Sequence, residues 1–427
     1  MAAPHPAPPN GAQSLREVRR GVAEAPDAQV LQVVRMVDAL EVRGASDDVL
    51  APVRPRLRAI QPARPLRFAR LMFMPADPLI IASPLWRPGT PFLPRSALMV
   101  LSRAVRARMR ADDAAEGLAD TLAQTDALIA GATTTQADIV RQAGTALWAV
   151  ASIMLRHVGG APSAACLAEW QAESLPVTEL APLALALSGI LGVALALYDH
   201  EHGGPVLEES GLAAMLAGTQ ALGPRAWGMM LSLLVIRVPH ATSALLADAQ
   251  RSRDHRLAAD AATEAALAWV EVEAASQVAG VSAGAATELN RQTTLLETLT
   301  DQMQRSSGDA APRKRVAQAR ATLLAGALQR FEASLHERVA APLRSLPQTP
   351  EARDDALDAM EATARTLRAF DLEARRLGGG PKFDEAVRKI ALAVECAAGL
   401  CPMDKARLLE ILAGPDVAMR QFDAVND

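Results

Sequence analysis

The chain has 427 residues, half of them apolar but only 3% aromatic, and a formal net charge of −4. That balance excludes an intrinsically disordered polypeptide and gives enough chain for two or three domains with real cores. Three cysteines in so long a sequence exclude a disulfide framework and point to a reducing setting, the cytoplasm.

With so few aromatics, the core must be built from Ala, Leu, Val and Met. Ala and Leu are the strongest helix formers, so the expected fold class is all-α, as a multi-helix bundle or an irregular HEAT-like helical array. Only four of the 44 basic residues are lysine, the mark of a GC-rich, bacterial-type genome. The choice of Arg over Lys therefore carries no message, whereas its clustering does. Twelve arginines fall between Arg54 and Arg110 against one acid, Asp77. Residues 1–110 hold 17 arginines and 8 acids, a net +9, which leaves −13 for residues 111–427.

In chain order, residues 1–25 read as a flexible Pro-rich tail, with four prolines among the first nine residues and neither the basic nor the apolar region of a secretory signal. Residues 26–110 form an Arg-rich helical module. Its first helix spans Ala28 to Leu40, and a second, capped near Ser46 and Asp47, runs through Val49 to Leu57. From Met74 to Arg95 there are six prolines, which predict an apolar loop without helix, packed across the bundle or used as a binding surface. Helix resumes from Ser96 to Met109.

Residues 111–250 read as an apolar helical core, with helices at Asp138 to Val158, Leu180 to Tyr198 and Trp227 to Val238. The nineteen residues from Leu180 to Tyr198 carry no charge and are long enough for a membrane span. Their acidic flanks, Glu179, Asp199 and Glu201, give no positive-inside signal, so the expectation is a buried central helix and no membrane association. Residues 251–427 carry long amphipathic stripes: a helical hairpin across Ser306 to Arg315, a helix through Leu357 to Leu377, a break at Gly378 to Pro381, then helices Phe383 to Ala398 and Asp404 to Leu412.

Candidate chemistry is sparse. Asp199, His200, Glu201 and His202, with His240, have metal-ligand chemistry, but four contiguous residues do not share a helix face, so they read as a polar helix end and no metal is expected. Cys396 and Cys401 are too far apart for a redox or zinc pair, and the GGGPK run lacks the spacing of a phosphate loop. No cofactor motif emerges, and His157 and His336 have no evident catalytic partner. The expected function is that of a non-enzymatic interaction or scaffold protein, an adaptor with a protein partner.

Two alternatives stand beside it. One is an anion or nucleic-acid binder acting through Arg64, Arg67, Arg70, Arg87 and Arg95, with Trp86 as stacking neighbour. The other is an enzyme of unknown class. Against an anion site stands a plainer reading, in which the arginines pair with acids of the C-terminal helices.

Overall fold

The computed structural model describes residues 17–22, 25, 27–38, 49–50, 67–111, 117–130, 139–202, 204–274, 280–282, 284–305, 310–347, 349–397 and 399–419. The fold is all-α: among the described residues the one extended pairing is a two-residue parallel bridge, Ile80–Ile81 against Leu93–Pro94. The chain divides into two compact units, Met1–Trp269 and Val270–Asp427.

In the first unit, residues 17–22 are helical and Val22 is buried with Val30 and Val37 of α1 (Asp27–Asp38), which corrects the expected tail over its last third. The prolines stop at Pro9, and LREVRRGV that follows is ordinary helix-forming sequence. The expected helix from Val49 to Leu57 lies largely outside the described residues.

After α2 (Phe68–Phe73), the Pro-rich segment is not free of helix. It folds as 3₁₀ helix, two turns at Met74–Leu79 and one at Ser83–Leu85; Pro75 and Pro84 at their first positions remove N–H groups that would be unbonded anyway, while Pro78 lies inside the first and helps keep it short. Leu79, Ala82, Trp86 and Leu93 from this segment are buried, so it packs on the unit's core and feeds directly into α3 (Arg95–Met109). Next come α4 (Leu118–Ala130), α5 (Thr145–Gly160) after a π turn at Val140–Gly144, and α6 (Ala164–Ala172).

The centre of the unit is the crossing of α5 with α7 (Leu180–Gly192). A Cβ on Gly159 would lie 3.0 Å from Leu185 Cγ and 3.3 Å from the Ala181 carbonyl oxygen, so the backbones approach as only glycine permits. Ser152 Oγ donates to the Ser188 carbonyl at 2.8 Å and Arg156 Nε to Ser188 Oγ at 3.0 Å, satisfying the polar atoms of that crossing. The apolar stretch from Leu180 is not one helix. It breaks at Val193 between α7 and α8 (Ala194–Glu201), since Gly192 is a poor helix former at a bend, and the charge-free stretch is shared between two short helices. Among the described residues no single helix is long and apolar enough to cross a membrane. The remaining helices are α9 (Glu209–Gln220), α10 (Pro224–Arg237), α11 (Thr242–Arg251) and α12 (Arg256–Ala274). Met229 through Ile236 of α10 are buried without interruption, as expected of a helix apolar all round.

The second unit contains the expected hairpin, α13 (Ala285–Arg305) and α14 (Ala310–Leu335), but its connection is shorter than read from the sequence. Pro312 is accommodated in the first turn of α14, and Arg313 reaches back to the Met303 carbonyl through Nε at 3.1 Å and Nη2 at 2.8 Å. The long helix α15 (Pro350–Arg376) packs on α13, α14 and α17 (Pro402–Ala413). Between them, α16 (Gly380–Glu395) follows Gly378 and Gly379, both at positive φ, where a side chain would be strained. Asp371, which interrupts the apolar stripe of α15, is buried and accepts from Arg375 at 2.9 Å. Glu361 is likewise buried, between Arg365 at 2.8 Å and Arg407 at 3.0 Å.

Candidate functional site

The Arg-rich stretch belongs to the first unit, and the fold separates its members into distinct roles. Arg64 lies outside the described residues. Arg67 caps the start of α2 and Arg70 lies within it, both with exposed side chains that meet no carboxylate among the described residues. Arg103 Nε donates to Glu169 of α6 at 2.7 Å. Arg106 grips Asp126 of α4 with two parallel bonds of 2.9 and 2.6 Å, while its guanidinium stacks 4.6 Å from the Phe68 ring. These carboxylates come from helices of the same unit, which corrects the expectation that the compensating acids belong to the C-terminal helices. Helices folding back within one unit bring acids 20 and 66 residues away into reach. Arg95 begins α3, is half-buried and is engaged in an interaction of its own.

Trp86 is not an exposed stacking surface. Its side chain is 6% exposed and its Nε1–H donates to the Phe92 carbonyl at 3.0 Å, across the base of the turn. The ring is therefore an anchor, and the residues on either side of it face outward. Leu85 is 70% exposed. Arg87 Nη1 donates to the Pro84 and Trp86 carbonyls at 2.9 and 2.8 Å, so the guanidinium is fixed onto the turn that carries it. Thr90 closes the turn through its backbone N–H at 3.2 Å and its hydroxyl at 2.7 Å, both to the Arg87 carbonyl. The product is a stiff tip, Pro84 to Thr90, presenting a leucine and a cation side by side.

A cavity of about 230 Å³ lies at the other end of the same segment. Met74, Pro75, Val140, Ala194 and Leu197 supply its apolar lining. An aromatic row completes it: the Trp148 and Tyr198 rings are 5.7 Å apart and tilted, and His202 stacks on Tyr198 at 4.0 Å. Trp148 is buried and donates its N–H to the Leu71 carbonyl at 2.9 Å, so it backs the cavity as a fixed wall. His202 Nδ1 lies 2.8 Å from the Tyr198 carbonyl oxygen, which can only accept, so in the neutral ring Nδ1 carries the proton. Arg237, at the end of α10, is bonded to the Glu201 carboxylate and to the Met74 carbonyl at 3.1 Å.

Of the histidine cluster, Glu201 and His202 line the cavity. His200 and His240 have ring centroids 5.7 Å apart, yet among the described residues no group of three or more His, Cys, Asp or Glu is placed to hold a metal ion. Cys401 caps α17, accepting from the Asp404 N–H at 3.4 Å, and Cys396 ends α16. Cys166 is buried, and burial, with Glu169 beside it, pushes its thiol above the ordinary range.

Two features escaped the sequence reading. Gly280 to Gly284 spells G-V-S-A-G, the spacing of a nucleophile elbow, but the described part is not a strand-to-helix turn. Its backbone is tied down at both polar groups of Val281, whose N–H donates to Ser334 Oγ of α14 at 2.7 Å and whose carbonyl accepts from Arg338 Nη1, in the turn after α14, at 3.2 Å, a structural role. The cavity was the second. Its sequence signals were the chain's one tyrosine and Arg237, the charge that ends an apolar helix. No protein-family model, no curated protein and no solved structure matches this chain.

Proposed function

We propose that the chain is a non-enzymatic interaction protein of the cytoplasm, an adaptor whose first unit offers the Pro84–Thr90 tip to a partner protein. The observation that carries this reading is an exposed Leu85 beside a guanidinium, on a turn whose backbone is locked by Trp86, Arg87 and Thr90. A preorganised tip loses little conformational entropy on docking, and Leu85 with Arg87 suits an apolar cleft rimmed by carboxylates. Binding by the tip needs no catalytic group and uses a stretch where the sequence combines prolines, apolar residues and arginine.

Site-specific photo-crosslinking tests it, with benzoylphenylalanine placed at Leu85 in the native host. A discrete protein adduct that disappears with Arg87→Glu supports the adaptor reading. Crosslinks to nucleic acid alone, or none, count against it. A second reading, anion or nucleic-acid binding, is favoured by the exposed Arg67 and Arg70, unpaired among the described residues. It predicts retention on immobilised DNA or RNA that falls steeply with salt and weakens in an Arg67→Ala, Arg70→Ala variant.

A further inference from the structure

The geometry points to the cavity beneath Met74 as a binding site for a small, flat, uncharged ring molecule of about two fused rings. Size comes first. The space is half open to solvent, and its volume of about 230 Å³, against about 150 Å³ for a cavity that holds benzene, has room for a bicycle. Shape comes from half-buried Tyr198: His202 covers one face of its ring and buried Trp148 backs it at a tilt, so a planar guest meets a single aromatic ring, by offset stacking or edge-on.

Charge is decided by Arg237. Its charge is compensated by the Glu201 carboxylate on Nη1, with the Met74 carbonyl on Nη2, and only the buried Nε–H is without a partner, so no net cation is left to draw an anion. An ionised guest would lose its hydration against apolar walls and gain no counter-charge. Polar recognition falls to the rim. There the Tyr198 hydroxyl has no hydrogen-bond partner among the described residues, and His202 keeps Nε2 as an acceptor once Nδ1 donates to the Tyr198 carbonyl. A guest with one N–H or carbonyl edge satisfies those groups. This site is independent of the Pro84–Thr90 tip, and either assignment can fail without the other.

The chain contains a single tyrosine, so labelling the full-length protein with 3-fluorotyrosine gives one ¹⁹F resonance, located in the cavity. Indole is the probe, with indole-3-carboxylate as its charged counterpart. The expected result is a saturable shift of the resonance with indole and at least tenfold weaker binding of the carboxylate. Ala194→Leu, which fills the wall from a buried position, should abolish the indole shift while the thermal melt remains cooperative. If that variant unfolds, Val140→Phe fills the same space from another lining position. A shift that stays linear in indole, equal binding of the carboxylate, or indole binding that survives in a folded cavity-filled variant overturns the proposal.

Discussion

Replacing Trp86 by Phe separates the anchoring role of this side chain from a surface role. The substitution keeps an aromatic ring but deletes the Nε1–H that reaches the Phe92 carbonyl at 3.0 Å. A hydrogen bond of this kind contributes about 0.5–1.5 kcal/mol net, and Phe92 is only half-buried, so water takes over part of its carbonyl's bonding and the loss stays within that range. The bond spans the turn alone. Its loss should therefore appear as local opening, not as global unfolding. A loss of about 1 kcal/mol corresponds to a roughly fivefold larger open population. Hydrogen exchange should show that increase at the amides that close the turn: Leu85 to the Ala82 carbonyl, Trp86 to Ser83 and Thr90 to Arg87. Amides of α3, such as those of Val100 and Leu101, should exchange as before. Unchanged exchange across Leu85 to Thr90 would refute the anchor, and faster exchange through α3 would show that the ring supports the whole unit. An exposed stacking Trp86, as the sequence suggested, leaves exchange unaltered when its ring is exchanged for phenyl.

Arg225 and Glu179 form a largely buried pair 3.5 Å apart without a hydrogen bond between them, and burial lowers the Arg225 pKa against the opposing pull of Glu179. Glu179→Ala should then cost about 3 kcal/mol in urea denaturation, near the low end for stranding a buried charge, whereas Glu179→Leu with Arg225→Met should cost much less. A single-mutant loss below that of the double mutant would contradict this. Cys166 should resist iodoacetamide near pH 8.5 while exposed Cys396 and Cys401 react, as mass spectrometry of the native protein can show. Its pKa is raised in the fold, so the unfolded thiol ionises first. Stability is then full below the ordinary thiol value and declines as pH rises toward the folded one. Melts of Cys166→Ala should lack that decline, and an identical pH profile would exclude it.

Local patterns in the sequence were sufficient for the all-α class and for most helix positions. The stripes through α3, α13, α15 and α16 follow the helical period, and the Gly378–Pro381 break carries its own backbone instruction in two residues at positive φ. Even Asp371, a charge within an apolar stripe, has its partner one turn away at Arg375. Tertiary structure decided whatever depends on what lies opposite a residue. Trp86 and Arg87 are neighbours in sequence, yet one is a buried anchor and the other an exposed cation, because the segment lies down on the core along the side that carries Trp86. Arg106 and Asp126 are neutral to each other until α3 and α4 pack together. The cavity depends most on the tertiary fold. Its walls come from Met74, Val140, Trp148, Tyr198 and Arg237, spread over more than half of the first unit. No local periodicity encodes such a juxtaposition, since each residue is placed by the packing of a different helix.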